Sequence, residues 1–194
     1  VSQQGLPVEE WLTIDRYALV MTQAFQEKVL ASYNRYEFHV AVQDIHHFCS
    51  EELGGFYLDI LKDRLYTAGV DSRARRSAQH ALWHITQTIA KLLAPVLSFT
   101  AEEVWAELQA SLEDSVFFHQ WHTLPVVTDA EMLSQNWNQI REFRAEVQRQ
   151  LETVRQEGAI GASLQAEVDI TAEPALFNLL QSLGDDLRLV LIVS

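Results

Sequence analysis

Apolar residues recur at steps of three and four along much of the chain up to residue 156, and this period most constrains the fold. In the first such segment Trp11, Ile14, Ala18, Met21 and Phe25 form one stripe on a helix of 3.6 residues per turn. Seven Gly and four Pro among 194 residues give few points at which a helix must end. The pattern therefore predicts a mainly α fold of long helices with short connections.

Five helices are expected from this period and from helix-end residues. Their predicted ranges are 7–33, 37–66 with a bend or break at Gly54-Gly55, 71 or 72 to 94, 100–108 behind a Thr100/Glu103 capping box, and 129–156. The same period places Cys49 on the apolar stripe of the second helix, as a buried and inert thiol. Residues 113–128 are expected to form a loop anchored by its aromatic side chains, Phe117, Phe118 and Trp121.

The period changes after Gly158. Leu164, Ala166, Val168 and Ile170 alternate with other residues, which is typical of a strand. Residues 174–183 favour a short helix, and residues 187–193 favour an apolar strand. The sequence therefore predicts a helical domain over residues 1–157 and a small α/β module, of β-α-β order, over residues 158–194.

The charge of the chain is unevenly distributed. The net charge is −13, which by itself opposes binding to nucleic acid. Residues 62–91 nevertheless contain six Lys and Arg against two Asp, a local balance of +4 that leaves −17 for the remainder. Because salt screens charges beyond about 8 Å, a partner senses the local field more than the total.

The third predicted helix concentrates this charge on one side. At 100° per residue its apolar side chains lie on one face, and the opposite arc of about 100° combines cations, histidines and an indole. That arc contains Arg73, Arg76, His80, Trp83, His84, Gln87 and Lys91. Guanidinium groups bind phosphates and aromatic rings stack on unpaired bases, so this face suits an RNA loop. The alternative is a solvated face whose tryptophan is covered by a neighbouring segment.

Catalytic and metal sites are not expected. No nucleophile, base and orienting group stand together, and His80 with His84 lacks a third ligand at helical spacing. One cysteine forms neither an internal disulfide nor a cysteine-based zinc site, which favours a reducing, cytoplasmic compartment. The sequence shows no secretion signal or membrane span, and its start at Val1 suggests a fragment of a longer protein.

Four motifs carry a family resemblance. They are FYLDILKDRLY at 56–66, ARRSAQ at 74–79, LLAP at 92–95 and FTAEEVW at 99–105. The stretch resembles the anticodon-binding domain of bacterial-type isoleucyl-tRNA synthetases, which are class Ia enzymes. The resemblance extends upstream to Tyr36 and downstream to Ala166, and so covers nearly the whole chain.

The resemblance implies a helical bundle that docks the anticodon stem-loop of isoleucine tRNA. The full enzyme would ligate isoleucine to this tRNA with ATP and Mg²⁺, but its catalytic and editing motifs match nothing in this chain. We therefore expect a fragment that is not catalytic and holds no cofactor. Its expected partners are isoleucine tRNA and the remaining synthetase domains, with no membrane and no DNA. The predicted RNA-binding residues are Lys62, Arg64, Arg73, Arg76 and Trp83.

Two alternatives remain open at this point. The chain could be the equivalent domain of a valyl- or leucyl-tRNA synthetase, which share part of the motifs. It could also be a helical scaffold that binds a partner protein, with Trp83 as the anchor.

Overall fold

The computed structural model describes residues 6–109, 113–162 and 165–193, with the backbone alone of Asp63. Regular structure in these ranges is helical, which confirms the predicted mainly α fold. None of the described helices is long and apolar enough to cross a membrane. Two compact units are present, one of Val1–Asp59 with Ala68–Thr128 and one of Ile60–Thr67 with Asp129–Ser194. The predicted division into 1–157 and 158–194 stays a prediction.

The helices of the first unit form a bundle. They are α1 (Thr13–Asn34), α2 (Phe38–His47), a π-helical segment (Phe48–Tyr57), α4 (Arg73–Leu93) and α5 (Ser98–Gln109). The π-helical segment leads into α3 (Leu58–Thr67), which belongs to the second unit from Ile60 onward. Helix α1 packs against α2 and α4, and α4 packs against α5. Because α1 and α5 both pack against α4, only the remaining sides of α4 are available to a partner.

The chain before α1 is not the continuous helix that its period predicts. A 3-10 turn at Val8–Glu10 is followed by extended backbone at Trp11, and α1 starts at Thr13. The Trp11 side chain is buried and its Nε1 donates to the Leu6 carbonyl at 2.7 Å. The Leu12 amide donates to Ser77 Oγ of α4 at 2.9 Å. These contacts to distant residues replace the first helical turns.

A buried carboxylate joins three elements of the first unit. Asp15 of α1 is fully buried and accepts hydrogen bonds from Tyr57 Oη, at 2.7 Å, and from Ser77 Oγ. A buried charge is tolerated only when it is hydrogen-bonded in this way. The arrangement ties α4 to α1 near the N-terminal end of α4, where the predicted arginines lie.

The glycine pair does not break the second helix. Gly54 and Gly55 lie inside the π-helical segment, and the helical backbone continues into α3. A Cβ on Gly54 would lie 3.2 Å from the Cys49 carbonyl oxygen, five residues earlier. Glycine therefore provides the space that i→i+5 geometry requires at this position. The wider turn also ends the 100° period, and Cys49 is exposed instead of buried.

The predicted start is confirmed for α4 and wrong for α5. Ser72 Oγ accepts from the Arg75 amide at 3.2 Å, which confirms Ser72 as the cap of α4. The capping box at Thr100 is wrong, because α5 already begins at Ser98 and the Ala101 amide bonds to the Leu97 carbonyl at 2.9 Å.

The segment after α5 is anchored by aliphatic residues. Val116, in a 3-10 turn at Val116–Phe118, and Leu124 are buried. Phe117, Phe118 and Trp121 are 56%, 79% and 44% exposed, so the predicted aromatic anchors are wrong. Val116 instead joins a small core with Trp105 and the end of α4.

The second unit is built on one long helix. It contains α6 (Ala130–Gln156), which packs against α7 (Pro174–Gln181) and α8 (Asp186–Leu191). The apolar stripe of α6 contributes Val147 and Leu151 to a core shared with α8. Pro174 occupies the first turn of α7, where its missing N–H costs nothing. The predicted fifth helix is confirmed, with its start one residue later.

The β-α-β order predicted for the tail is wrong in its second strand. Residues 187–193 were expected to form a strand, yet Asp186–Leu191 is helical. Leu187 and Leu191 have i, i+4 spacing and pack together on the α6 core, which the alternating sides of a strand do not provide. The described part of the first predicted strand, residues 165–170, has no ladder, and Leu164 lies outside the described residues.

Candidate nucleic-acid interface

Three arginines lie in the first turn of α4. Arg73 Nε donates to the Glu10 carbonyl, and Arg75 Nη1 donates to the Ala68 carbonyl at 3.3 Å. A carbonyl oxygen is neutral, so these bonds hold both guanidiniums without cancelling their charge. No acidic residue occupies this turn, and the positive end of the helix dipole coincides with it. With Arg76, half-buried, this end of α4 attracts anions.

The next turn of α4 is covered by the N-terminal segment. His80 is buried and its Nε2 accepts from the Leu6 amide at 3.3 Å. The Trp11 ring stacks on it with centroids 5.9 Å apart and planes at 17°. Burial, assisted by the charge of Arg76, lowers the pKa of His80. His80 is thus a neutral packing residue. The sequence prediction had assigned it to the binding face because of its position around the helix.

A histidine pair covers the middle of α4. His84 Nδ1 and His122 Nε2 are hydrogen-bonded at 2.9 Å. Burial, reinforced by His122, lowers the pKa of His84 to about 4. Burial and the charge of Lys91 lower the pKa of His122 to about 4 as well. Both rings are therefore neutral at physiological pH.

Trp83 is the exposed aromatic residue of the basic flank of α4, which is the arc from Arg73 to Lys91 predicted above. Its indole is 37% exposed and meets the rings of His84 and His122 edge-on, with centroids 4.8 and 5.6 Å away. These contacts hold the indole while part of it stays accessible. The predicted basic flank is thus partly covered, with Arg73 and Trp83 exposed and His80 and Gln87 buried.

The other two predicted cations belong to the second unit. Lys62 of α3 is exposed, whereas Arg64 is only 5% exposed. Two residues advance a helix by about 200°, so the two side chains leave opposite sides of α3. Lys62 can meet a polyanion directly, and Arg64 is placed to support the fold around it.

Sequence reasoning missed the surroundings of Lys91. The residue was counted as the last member of the α4 flank, but it lies against the Trp105 ring, with Nζ 5.3 Å from the ring centroid. It also lines a cleft with Phe117, His119 and Trp121. Only the long-range contact of the 113–128 segment with α4 brings these residues together, and no local pattern indicates it.

The described residues contain no candidate metal site. No group of three or more His, Cys, Asp or Glu side chains there is arranged to hold an ion. The His80 and His84 rings make the packing and hydrogen-bonding contacts given above.

Residues 15–170 match a family model described as the anticodon-binding domain of tRNA ligase. The chain belongs to this family. The chain is 57% identical, over an alignment of 198 residues, to the isoleucine–tRNA ligase of Nitrosomonas europaea. It is also 54% identical to the enzyme of Aromatoleum aromaticum and 57% identical to that of Thiobacillus denitrificans. These alignments cover 100%, 100% and 99% of the chain.

The chain spans 21% of the length of each of these relatives. The resemblance predicted from residues 56–105 is therefore confirmed, and so is the prediction of a fragment. The relatives are named as ligases, and the family model identifies this chain as an anticodon-binding part.

Proposed function

We propose that this chain is the anticodon-binding part of an isoleucine–tRNA ligase and binds the anticodon stem-loop of isoleucine tRNA. Whole-chain identity of 57% to a named isoleucine–tRNA ligase carries the proposal. The parent protein would join isoleucine to its tRNA with ATP and Mg²⁺, in the cytoplasm, through domains outside this chain. This chain would contribute affinity and position, and no chemical step.

The proposed contacts form two separate groups. In the first unit, Arg73 and Arg76 offer positive charge at the start of α4, and Trp83 offers an accessible indole about two to three turns later. In the second unit, Lys62 offers an exposed ammonium, and Arg64 acts as a positioning residue beneath the surface. Cations that approach phosphates and a ring that stacks on a base are the combination that single-stranded RNA loops require.

The acidic remainder supports selectivity. With a net charge of −13, the chain repels RNA over most of its surface, so only an RNA that reaches the cationic regions gains affinity. Binding should therefore be weak in the isolated chain and strongly dependent on salt.

The test compares transfer RNAs. We would measure the affinity of the 194-residue chain for isoleucine, valine and leucine tRNAs and for an unrelated RNA hairpin, at 50 and 200 mM salt. We expect isoleucine tRNA to bind at least tenfold more tightly than the hairpin. Equal affinity for all four RNAs at physiological salt would contradict the proposal.

A matched pair of variants tests the residues. Lys62→Ala should weaken isoleucine tRNA binding about threefold to tenfold and reduce the salt slope by about one. Arg155→Ala in the same unit removes an exposed cation of α6 that lies outside the proposed contacts, and should change binding less than twofold. Equal effects of the two substitutions would remove Lys62 from the interface.

A further inference from the structure

A cleft lies beside the C-terminal end of α4, away from the arginines at its start. It has a volume of about 340 Å³ and is lined by Lys91, Ala94, Pro95 and residues of the 116–121 segment. All of these residues belong to the first unit. The volume lies at the low end of the range for small-molecule sites and suits a ligand no larger than a mononucleotide.

Flat aromatic surfaces line the cleft and are open to solvent. Trp121 is 44% exposed and Phe117 is 56% exposed. The Tyr33 ring stacks loosely on Trp121, with centroids 6.3 Å apart and planes at 21°, and Tyr33 Oη donates to the Leu92 carbonyl at 2.7 Å. This contact holds the indole before a ligand arrives, which lowers the entropy cost of stacking.

The Lys91 ammonium supplies a partly dehydrated positive charge. It lies over the Trp105 ring, and burial lowers the pKa of Lys91. A cation that has lost water gains more from an anionic ligand than one in bulk solvent. A phosphate group at the mouth of the cleft would provide that compensation.

His119 adds an oriented hydrogen-bonding group. Its Nε2 bonds to both carboxylate oxygens of Asp114, at 2.8 and 2.9 Å, and Trp105 Nε1 donates to the same carboxylate at 3.0 Å. When neutral, the ring therefore keeps its proton on Nε2 and offers Nδ1 as an acceptor. An acceptor of this kind pairs with the amino or imino N–H of a nucleobase.

Two acidic side chains near the cleft are already engaged. Asp114 accepts from His119 and Trp105, and these hydrogen bonds lower its pKa. Glu102 accepts from Ser115 Oγ. Their charges are partly offset by these donors, so they weaken the field of Lys91 less than bare carboxylates would.

We infer that this cleft binds one unpaired nucleotide of an RNA, with its base on Trp121 and Phe117 and its phosphate at Lys91. The inference rests on the proposed function only for the identity of the RNA. The cleft is a contact independent of Lys62 and of the α4 arginines.

The experiment titrates the 194-residue chain with the four nucleoside 5′-monophosphates, the four nucleosides and inorganic phosphate. Tryptophan indole N–H resonances, assigned with Trp121→Phe, are followed by NMR. We expect the monophosphates to shift the Trp121 signal, and the nucleosides and inorganic phosphate each to bind about tenfold more weakly. Equal binding of inorganic phosphate alone would reduce the cleft to an anion site and overturn the inference.

Paired substitutions test each wall. Trp121→Leu should weaken monophosphate binding about tenfold, as loss of a stacked base does, whereas Trp121→Phe keeps a flat ring and should stay within about threefold. Lys91→Gln should weaken monophosphates but leave nucleosides unchanged, and Lys91→Arg should restore binding. Phe177→Leu changes an exposed ring of the second unit and serves as the control. Unchanged binding in Trp121→Leu and Lys91→Gln, with thermal unfolding intact, would overturn the inference.

Failure of the cleft and failure of the proposed function give different results. If isoleucine tRNA binds the chain and Lys62→Ala weakens it, while Trp121→Leu and Lys91→Gln bind the tRNA normally, the cleft inference is wrong and the proposed function stands. If monophosphates bind the cleft but all tRNAs bind no better than a hairpin, the proposed function is wrong and the cleft stands.

Discussion

Helices α4 and α6 both carry several arginines, but they use them in opposite ways. On α6, Arg149 and Arg155 form ion pairs at 2.7 Å with Glu146 and Glu152, three residues earlier. Hydrogen bonds from Arg155 and Gln156 lower the pKa of Glu152 to about 2. On α4, Arg73 and Arg75 bond to backbone carbonyls, which carry no charge.

The difference explains how an acidic chain can still present a locally positive surface. An arginine paired with glutamate forms a dipole whose field falls off faster with distance than that of a single charge, whereas an arginine bonded to a carbonyl keeps its net charge. The total of −13 therefore says little about the start of α4. Predictions about binding should follow from the partner of each arginine, and the charge reversals described last test this rule.

The largest effect is expected at the arginine of α6 that is not on the surface. Arg144 is 6% exposed, and its Nε donates to the Val190 carbonyl at 2.8 Å. Arg144→Met would leave that buried carbonyl without its donor and should lower the free energy of unfolding by about 3 kcal/mol. Urea unfolding followed by circular dichroism measures this. Arg149→Met removes one partner of an exposed ion pair and should leave the free energy of unfolding almost unchanged. Similar losses in both variants would contradict the distinction between the buried and the exposed arginine.

The second effect concerns the covered side of α4 and depends on pH. Unfolded histidines titrate near pH 6.5, and the folded pKa values of His84 and His122 are about 4. Between these values the unfolded chain binds more protons, so stability falls as pH is lowered from 6.5 to 4 and these groups add no further loss below 4. Allowing for partial exposure, we expect about 2 kcal/mol in total.

Urea unfolding at pH 7, 5.5 and 4.5 measures this loss. His84→Gln keeps a hydrogen-bonding side chain without the titration and should flatten the pH dependence by about half. His46→Gln, at an exposed position of α2, should leave it unchanged. The same slope in the parent chain and in His84→Gln would show that the pair does not set it.

The smallest effect compares charge reversals in RNA binding. Arg73→Glu should weaken isoleucine tRNA binding about tenfold, or about 1.4 kcal/mol, because it reverses a charge whose hydrogen bond goes to a neutral carbonyl. Arg149→Glu makes the same change at a paired arginine of α6 and should cost less than twofold. Arg73→Gln keeps a donor for the Glu10 carbonyl and should fall between them. Fluorescence anisotropy at fixed salt measures all three, and equal losses for both reversals would refute the rule.

Local signals were sufficient for much of the fold. Ser72 and the apolar stripe of α6 located two long helices to within one or two residues, because caps and stripes depend on neighbours in sequence. The tail was misjudged because its run of apolar residues fits a strand and a short helix equally well. Only packing of Leu187 and Leu191 on α6 decides between them.

The candidate site was less predictable than the fold. Positions around the helix correctly predicted that Arg73 and Trp83 are exposed. They could not show that Trp11 covers His80 or that the segment containing His122 covers His84. The hydrogen bonds of the same two segments, from Leu6 to His80 and between His84 and His122, join residues 74 and 38 positions apart. The cleft at Lys91 depends on the same kind of long-range contact. Helical spacing predicted the position of Lys91 on α4 but not the residues that surround it.

The exposed sulfur of Cys49 has a practical use. Since the sequence contains one cysteine, a maleimide dye would attach at a single known position without any mutagenesis. Partial shielding raises the pKa of the thiol, so coupling should be slow at neutral pH and faster in mildly alkaline buffer. The dye would report from the π-helical segment, which makes the unmodified protein ready for single-molecule observation.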